Sequence, residues 1–242
     1  MVYRLLQPFY TLYVIVTFCI TIVIAIPFFI TLGLIRTPSA RKVAYRCVRI
    51  WSVCWLWLIG MPLRVSGKAP AGRYIYVANH ISYLDALLLF AAIPHHFRPL
   101  GKKEIAHIPV IGFIYKQVTI LVDRSSHHSR TRSMKLMWHV LRHECSIAIF
   151  PEGTFNETGD VLKPFYDGAF RLAVNTGTDI VPLLFPDTVK RWHYKHWWQF
   201  SPGINRAIFL SPIPVSGRTL ADVPALKEEV YLTIYNALAV YK

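Results

Sequence analysis

A histidine and an aspartate, His80 and Asp85, stand five positions apart between a strand-like run and a helix-like run. Histidine ionises near neutral pH, so it can take a proton from an alcohol and return it later. A carboxylate that accepts from the other ring nitrogen fixes the tautomer and stabilises the imidazolium. Residues five apart on one helix lie about 140° apart, so the side chains meet only if His80 lies on the loop and Asp85 in the first helical turn. The segment therefore predicts a general base and its orienting group.

The same spacing also has a purely structural explanation. Ser82 is a suitable helix N-cap, and it stands three positions before Asp85, as in a capping box. A histidine and an aspartate at this distance also occur by chance in many proteins. Taken alone, the pair leaves catalysis and helix capping both open.

Three further blocks follow the pair in order along the chain. They are Gly101 to Glu104 with Pro109 to Gly112 and Val122 to Arg124, then Phe150 to Thr154, and finally Ile180 to Leu183. Together with the His-Asp pair, these blocks resemble the glycerolipid acyltransferase family from about residue 65 to residue 215. The resemblance implies a three-layer α/β domain like that of glycerol-3-phosphate acyltransferase, which moves a fatty acyl group from a thioester to a lipid hydroxyl.

The resemblance also implies roles for individual residues. His80 would deprotonate the acceptor hydroxyl, and Asp85 would orient His80. The substrate-binding residues would be Asn79, Lys102, Arg124, Glu152, Gly153 and Thr154. Among these, Lys102 and Arg124 match basic positions that hold the acceptor phosphate, while Glu152 and Gly153 match positions that brace the histidine loop. Simpler explanations remain open, namely turn chemistry for Asn79 and Gly153 and a solvated surface for Lys102.

The resemblance implies no bound cofactor and no metal site. Acyl-coenzyme A or acyl-acyl carrier protein would be the co-substrate. No acyl-enzyme is implied, and the sequence has no obvious activated serine or cysteine. The four cysteines lack paired metal-ligand spacing and are expected to be reduced thiols; they are Cys19, Cys47, Cys54 and Cys145.

The chain departs from the family pattern directly after Thr154. The family often has an arginine there that binds phosphate, whereas this chain has Phe155. Phenylalanine cannot make the bidentate phosphate contact of an arginine. Either Lys102, Arg124 or Lys163 holds the phosphate, or the acceptor is not a glycerophosphate. The resemblance implies that the acceptor is 1-acylglycerol-3-phosphate, and Phe155 leaves a lyso-ornithine or lyso-glycine lipid as the alternative.

Composition points to a lipid environment. The 242 residues are 54% hydrophobic with a formal net charge of +14, and the mean hydropathy is +0.36. A basic excess suits nucleic acid, anionic lipid or an anionic substrate, and the apolar segments favour lipid. The stretch from Arg191 to Phe200 interleaves aromatic and basic residues, which suits lipid headgroups or single-stranded nucleic acid. The predicted partners are membrane lipid, a lysophospholipid and the acyl donor, without nucleic acid.

An uncharged run extends from Leu5 to Ile35, and Pro27 is expected to interrupt it, leaving an apolar helix from Phe9 to Ile26. Eighteen helical residues extend about 27 Å, enough to cross the hydrocarbon core. A signal peptide is the competing interpretation, but no convincing cleavage site follows. Basic residues are more numerous after the run than before it, which predicts that the catalytic domain lies in the cytoplasm. The resemblance implies that the membrane is the bacterial inner membrane.

Residues 1–62 are predicted to form the membrane anchor and residues 63–242 the acyltransferase domain. The stretch from Ile50 to Pro62 is short for a membrane span, so it is expected in the interface or as a hairpin partner. Beyond it, strands alternate with helices, which indicates an α/β domain. The expected strands are Tyr74 to Ala78, Val118 to Val122, Ser146 to Phe150, Ile180 to Leu184 and Ala207 to Leu210. The expected helices are Asp85 to Ala92, His127 to Arg142, Ala169 to Thr176 and Leu220 to Tyr241.

A membrane-binding protein without activity is the alternative from another class. The intact set of His80, Asp85 and Glu152 argues against it.

Overall fold

One mixed sheet with helices on both faces forms the centre of the protein. The computed structural model describes residues 2–35, 37–123, 127–196 and 198–241. The strands are β1 Leu63–Ser66, β2 Ile75–Ala78, β3 Phe97–Lys102, β4 Ile120–Val122, β5 Ser146–Ile149, β6 Ile180–Leu184 and β7 Asn205–Phe209. The α-helices are α1 Val2–Ile35, α2 Pro38–Leu58, α3 Leu84–Ala92, α4 Ile111–Val118, α5 His127–His143, α6 Gly168–Thr176, α7 Thr188–Arg191 and α8 Val223–Ala239. Short 3-10 helices cover Lys103–His107 and Leu220–Asp222.

The strand order is β1-β7-β6-β2-β5-β3-β4, and the strands β2 to β6 are mutually parallel. In the central strand β2, Tyr76 lies opposite Ala148 of β5 on one side and Val181 of β6 on the other. Strands that are covered on both faces read as nearly continuous apolar runs, and β2, β5 and β6 are buried along their whole length. Parallel strands end at the same edge, here called the carboxyl edge, so the residues that follow β2, β5 and β6 meet there.

Two hydrophobic cores lie on the two faces of the sheet. One core joins α1, α2 and α3 to the sheet and includes Leu56, Leu88 and Phe97. The other core joins α5, α6 and α8 to the opposite face and includes Phe170 and Ile234. The predicted three-layer α/β architecture is confirmed. The boundary between an anchor over 1–62 and a catalytic domain over 63–242 stays a prediction, although α2 packs on α3 within the first core.

The helices α1 and α2 form an antiparallel hairpin. The Trp55 indole donates to Thr17 at 3.3 Å, and the Tyr10 hydroxyl donates to the carbonyl of Ile59. The residues Leu6–Ile35 form a helix long and apolar enough to cross a membrane. The expected break at Pro27 is wrong, because α1 continues through it. A proline removes only one helical N–H, so the hydrogen bonds of the neighbouring residues can continue the helix, and the Pro27 carbonyl accepts from the Thr31 hydroxyl at 3.0 Å.

Several elements differ from the sequence predictions. The strands β1 and β3 were not expected, because β1 is a short edge strand and β3 contains Arg98, Pro99 and Gly101, which are unusual in a buried strand. Arg98 is nevertheless accommodated, since its guanidinium donates to the carbonyl of Thr119 at 2.9 Å and pairs with Glu144 at 3.6 Å. The strand expected from Val118 begins only at Ile120, since Val118 ends α4.

Candidate active site

His80 and Asp85 meet at the carboxyl edge of the sheet, as the spacing predicts. His80 lies on the loop after β2, and Asp85 lies in the first turn of α3. The His80 Nδ1 and Asp85 Oδ2 atoms are 2.9 Å apart. A carboxylate can only accept, so Nδ1 carries the proton in this contact. In a neutral imidazole, Nε2 is then the atom that can take a proton from a substrate.

The Asp85 carboxylate is fully buried and accepts from four groups. Besides His80, its Oδ2 accepts from the backbone N–H groups of Ile81 at 2.7 Å and Ser82 at 2.8 Å. Its Oδ1 accepts from the Thr188 hydroxyl at 2.6 Å. Asp85 therefore orders the backbone of the loop and orients His80 at the same time, and the catalytic role of the pair stays a prediction.

Aromatic rings enclose the His80 imidazole. The Phe150 ring stacks on it with centroids 4.0 Å apart and an interplanar angle of 9°. Phe155 approaches within 4.4 Å and also contacts Tyr83, whose ring lies 5.0 Å from that of Trp192. This packing restricts rotation of the imidazole and leaves its side chain 17% exposed.

Glu152 links the block from Phe150 to Thr154 to the histidine loop. Its buried carboxylate accepts from the His80 backbone N–H at 2.8 Å and from the Lys163 backbone N–H at 3.0 Å. The Asn156 N–H donates back to the His80 carbonyl at 2.8 Å. Burial raises the pKa of Glu152 to about 7, although the two backbone donors oppose that increase. The position of His80 therefore depends on a buried carboxyl group in the loop that follows the neighbouring strand β5.

Gly153 and Thr154 continue the same loop. Gly153 has φ +77, in the left-handed region that favours glycine, which agrees with the simpler explanation of a turn residue. Thr154 is exposed, and its hydroxyl accepts from the Lys163 ammonium at 2.6 Å. Lys163 thus places a cation beside the residue that precedes Phe155.

The other predicted substrate-binding residues occupy different places. Asn79 is buried, and its amide both donates to and accepts from the backbone of Phe185, which clamps the end of β2 to the end of β6. Lys102 is exposed at the end of β3, which lies two strand spacings, or about 10 Å, from β2. Arg124 lies outside the described residues. The roles of all three in substrate binding stay predictions.

The sequence did not indicate the residues that follow β6. Thr188 binds Asp85, and the Trp192 carbonyl accepts from the Ser82 hydroxyl at 2.6 Å. Asp187, which directly precedes α7, forms two short hydrogen bonds with the guanidinium of Arg206, at 2.6 and 2.8 Å. The only available signal was the pair Asp187 and Thr188 shortly after a buried strand, since contacts over more than a hundred positions leave no local pattern.

The fold and this arrangement define a class of α/β proteins that carry a His-Asp pair at the carboxyl edge of a parallel sheet. Comparison with known proteins narrows the class. A family model described as acyltransferase matches residues 62–186. The chain therefore belongs to the glycerolipid acyltransferase family, as its motifs indicate.

Three relatives illustrate the similarity. Human 1-acyl-sn-glycerol-3-phosphate acyltransferase alpha is 30% identical over 191 residues, covering 76% of this chain and 67% of that protein. Coconut (Cocos nucifera) 1-acyl-sn-glycerol-3-phosphate acyltransferase is 32% identical over 161 residues, covering 65% and 52%. The chain thus spans about half to two thirds of the length of these curated relatives. The crystal structure of the 1-acyl-sn-glycerophosphate acyltransferase PlsC from Thermotoga maritima has the same fold, with a TM-score of 0.79 and 20% identity over 98% of this chain and 96% of that one.

Proposed function

We propose that this protein transfers a fatty acyl chain from an acyl thioester to the free hydroxyl of 1-acylglycerol-3-phosphate, giving phosphatidic acid. The observation that carries the proposal is the 2.9 Å contact between His80 Nδ1 and Asp85 Oδ2 at the carboxyl edge of the sheet. It leaves Nε2 as the atom that can take the proton of the acceptor hydroxyl. Family membership and the names of the relatives support the choice of acceptor.

The reaction needs no covalent enzyme intermediate. The acceptor oxygen attacks the thioester carbonyl carbon while His80 Nε2 takes the hydroxyl proton. The carbon–oxygen bond forms, the carbon–sulfur bond breaks, and the imidazolium returns the proton to the leaving thiolate. Asp85 stabilises the imidazolium while it exists. General-base assistance of this kind is worth about 10² to 10⁴ in rate. The donor is acyl-coenzyme A or acyl-acyl carrier protein.

The cations near the loop are the groups that would hold the acceptor phosphate. Lys163 stands beside Thr154. Lys102 is the last residue of β3, two strands away from β2 in the sheet, and makes no ion pair with the residues that the structure describes. Arg124 follows β4 in the sequence. These side chains would take the place of the arginine for which this chain has Phe155.

The second candidate acceptor is a lyso-aminolipid, such as a lyso-ornithine or lyso-glycine lipid. It is favoured by Phe155, which packs against both His80 and Tyr83 and therefore puts an apolar ring where a phosphate-binding group is expected. The chemistry at His80 is the same for both acceptors.

The test is an assay of the purified full chain with a labelled acyl donor and a panel of lysolipids. We expect transfer to lysophosphatidic acid and a loss of about 10² to 10⁴ in rate for His80→Ala, with folding preserved. Preference for a lyso-aminolipid would show that the acceptor is not lysophosphatidic acid. Full turnover by the folded His80→Ala protein would refute the role of His80 as general base. Comparing acyl-coenzyme A with acyl-acyl carrier protein in the same assay identifies the donor.

We further propose that the protein resides in the bacterial inner membrane with its catalytic domain in the cytoplasm. The support is the apolar helix α1, followed by the basic residues Arg41, Lys42, Arg46 and Arg49. Labelling of a single introduced cysteine on α8 in intact and in opened cells tests the orientation.

A further inference from the structure

A basic cavity lies at the edge of the sheet opposite to His80. Its volume is about 660 Å³, and it is lined by α2 and by the segments that lead into β2, β3 and β5. Because these strands are parallel, the residues before them lie at the amino edge. Seven positions of mostly extended chain, roughly 20 Å, separate Arg73 before β2 from His80 after it. We call this cavity the amino-edge pocket; its cationic lining residues are Lys42, Arg46, Arg49 and Arg73.

The charges of the amino-edge pocket do not balance. In the described part of the chain, Glu144 is the only acid in its lining, and this carboxylate already pairs with Arg41 at 3.8 Å and Arg98 at 3.6 Å. Lys42 and Arg46 are exposed and make no ion pair with any described residue. They stand four positions apart on α2, where like charges repel each other. An anion in the pocket would remove that repulsion.

Groups behind the lining carry the same excess of positive charge. Arg98 is only 7% exposed, and its Nε atom has no hydrogen-bond partner among the described residues. Burial and the charge of Arg98 lower the pKa of His96, a lining residue, to about 4. The buried guanidinium of Arg98 therefore adds a further cation behind the wall of the pocket.

Membrane topology does not account for the whole set. The positive-inside rule explains basic residues close to an apolar helix, such as Lys42 and Arg46. Arg73 lies far along the sequence from α1, beyond β1, and is held at the pocket because its guanidinium donates to the carbonyls of Leu141 and Arg142. The fold therefore brings a separate cation to the same cavity.

The surroundings favour an amphipathic anion. Ile50 lines the amino-edge pocket and is 60% exposed, which gives the cationic wall an apolar border. The apolar helix α1 ends at Ile35, only a few residues before α2 begins, and Leu34 is also exposed. Lys42 lies about 6 Å along α2 from its start, so the cationic wall begins where the apolar surface ends. A lipid headgroup occupies this level of a membrane.

We propose that the amino-edge pocket binds the phosphate group of an anionic membrane phospholipid, at a site separate from the one around His80. Basic pockets beside membrane helices bind headgroups in this way. The bound lipid would hold the amino edge of the sheet against the membrane while the carboxyl edge carries the chemistry.

The test uses the full chain in neutral detergent micelles. Short-chain phosphatidylglycerol, short-chain phosphatidylcholine and inorganic phosphate are titrated separately, and the rise of the thermal unfolding midpoint reports binding. We expect phosphatidylglycerol to raise the midpoint most. The double variant Lys42→Ala/Arg46→Ala should bind it about 30-fold more weakly, since each cation near a membrane surface contributes about 1 kcal/mol.

The matched control is Arg132→Ala/Lys135→Ala, which removes the same charge from the exposed side of α5. This control should retain phosphatidylglycerol binding, and both double variants should retain basal acyl transfer. Equal losses of binding in the two variants would show diffuse electrostatics and overturn the proposal. If inorganic phosphate binds as tightly as phosphatidylglycerol, the ligand of the pocket is not a lipid and the proposal is overturned. Loss of basal transfer in the Lys42/Arg46 variant would overturn the separation of the two sites.

Discussion

At the scale of single residues, Asp85 both orders the loop backbone and orients His80. Its carboxylate is buried and accepts hydrogen bonds from His80, from two backbone amides and from Thr188. His80, by comparison, is partly exposed and hydrogen-bonded through one ring nitrogen. Loss of either side chain should impair chemistry, but the two losses should differ in their effect on folding.

We therefore expect Asp85→Ala to lower the free energy of unfolding by about 3 kcal/mol or more, because buried donors left without an acceptor cost about 1–3 kcal/mol each. His80→Ala should cost less, since it removes one partner of a satisfied carboxylate. Denaturant unfolding in neutral micelles measures both. Equal destabilisation by the two variants would contradict the capping role of Asp85.

Glu152 makes stability depend on pH in a direction opposite to that of most carboxylates. Its pKa in the folded protein, about 7, lies above the ordinary value of 4.5, so the folded state holds the proton more tightly. The contribution of Glu152 to stability is complete below about pH 4.5 and is lost as the pH rises through about 7, by at most about 1.4 kcal/mol per pH unit.

The comparison of wild type with Glu152→Gln isolates this effect. The difference in free energy of unfolding, wild type minus variant, should fall between pH 4.5 and pH 7, because the amide does not titrate. The exposed Glu157→Gln variant controls for the loss of one carboxyl group. A difference that stays constant or grows over this interval would mean that burial does not raise the pKa of Glu152.

At the scale of elements, the first turn of α4 depends on close backbone packing against the 3-10 helix Lys103–His107. A Cβ atom on Gly112 would lie 2.4 Å from the carbonyl oxygen of Ala106, a contact that side-chain motion cannot relieve. Gly112→Ala should therefore destabilise the protein by about 1–3 kcal/mol. Gly168→Ala is the control, since nothing lies within 4 Å of its added methyl group, and it should be neutral or slightly stabilising. Equal midpoints in thermal unfolding would contradict the predicted clash.

The same elements show how far local patterns reach. The strands β2, β5 and β6 are nearly continuous apolar runs, so the sequence predicts them together with the His-Asp turn that follows β2. In β3, by contrast, Arg98 and Gly101 interrupt the apolar pattern, and the strand exists because its neighbours pair with it and Arg98 finds Glu144. Thr188 could not be placed in the site either, because its partner Asp85 lies more than a hundred positions away. Tertiary contacts of this kind have no signature in nearby residues.

At the scale of the whole molecule, exposed apolar side chains continue from α1 onto the segment from Ile108 to Phe113. The helices α1 and α4 pack together, with the Gln117 amide donating to the Phe29 carbonyl at 2.9 Å. The segment follows the 3-10 helix after β3 and so begins at the carboxyl edge. One apolar surface therefore extends from the hairpin to the edge that carries His80, which suits an enzyme whose acceptor resides in a lipid layer.

Membrane association should accordingly depend on α1 and not on exposed apolar residues elsewhere. Ile24 lies in the middle of α1 and is 73% exposed, while Val240, just after α8, is 81% exposed. Ile24→Asp should weaken partitioning into neutral vesicles, because an aspartate at the centre of a membrane helix costs about 2.5–3.5 kcal/mol. Val240→Asp should leave partitioning unchanged, because that position lies outside the apolar surface. Vesicle flotation of the two purified variants measures the difference, and equal partitioning of both would show that the membrane contacts a different face of the protein.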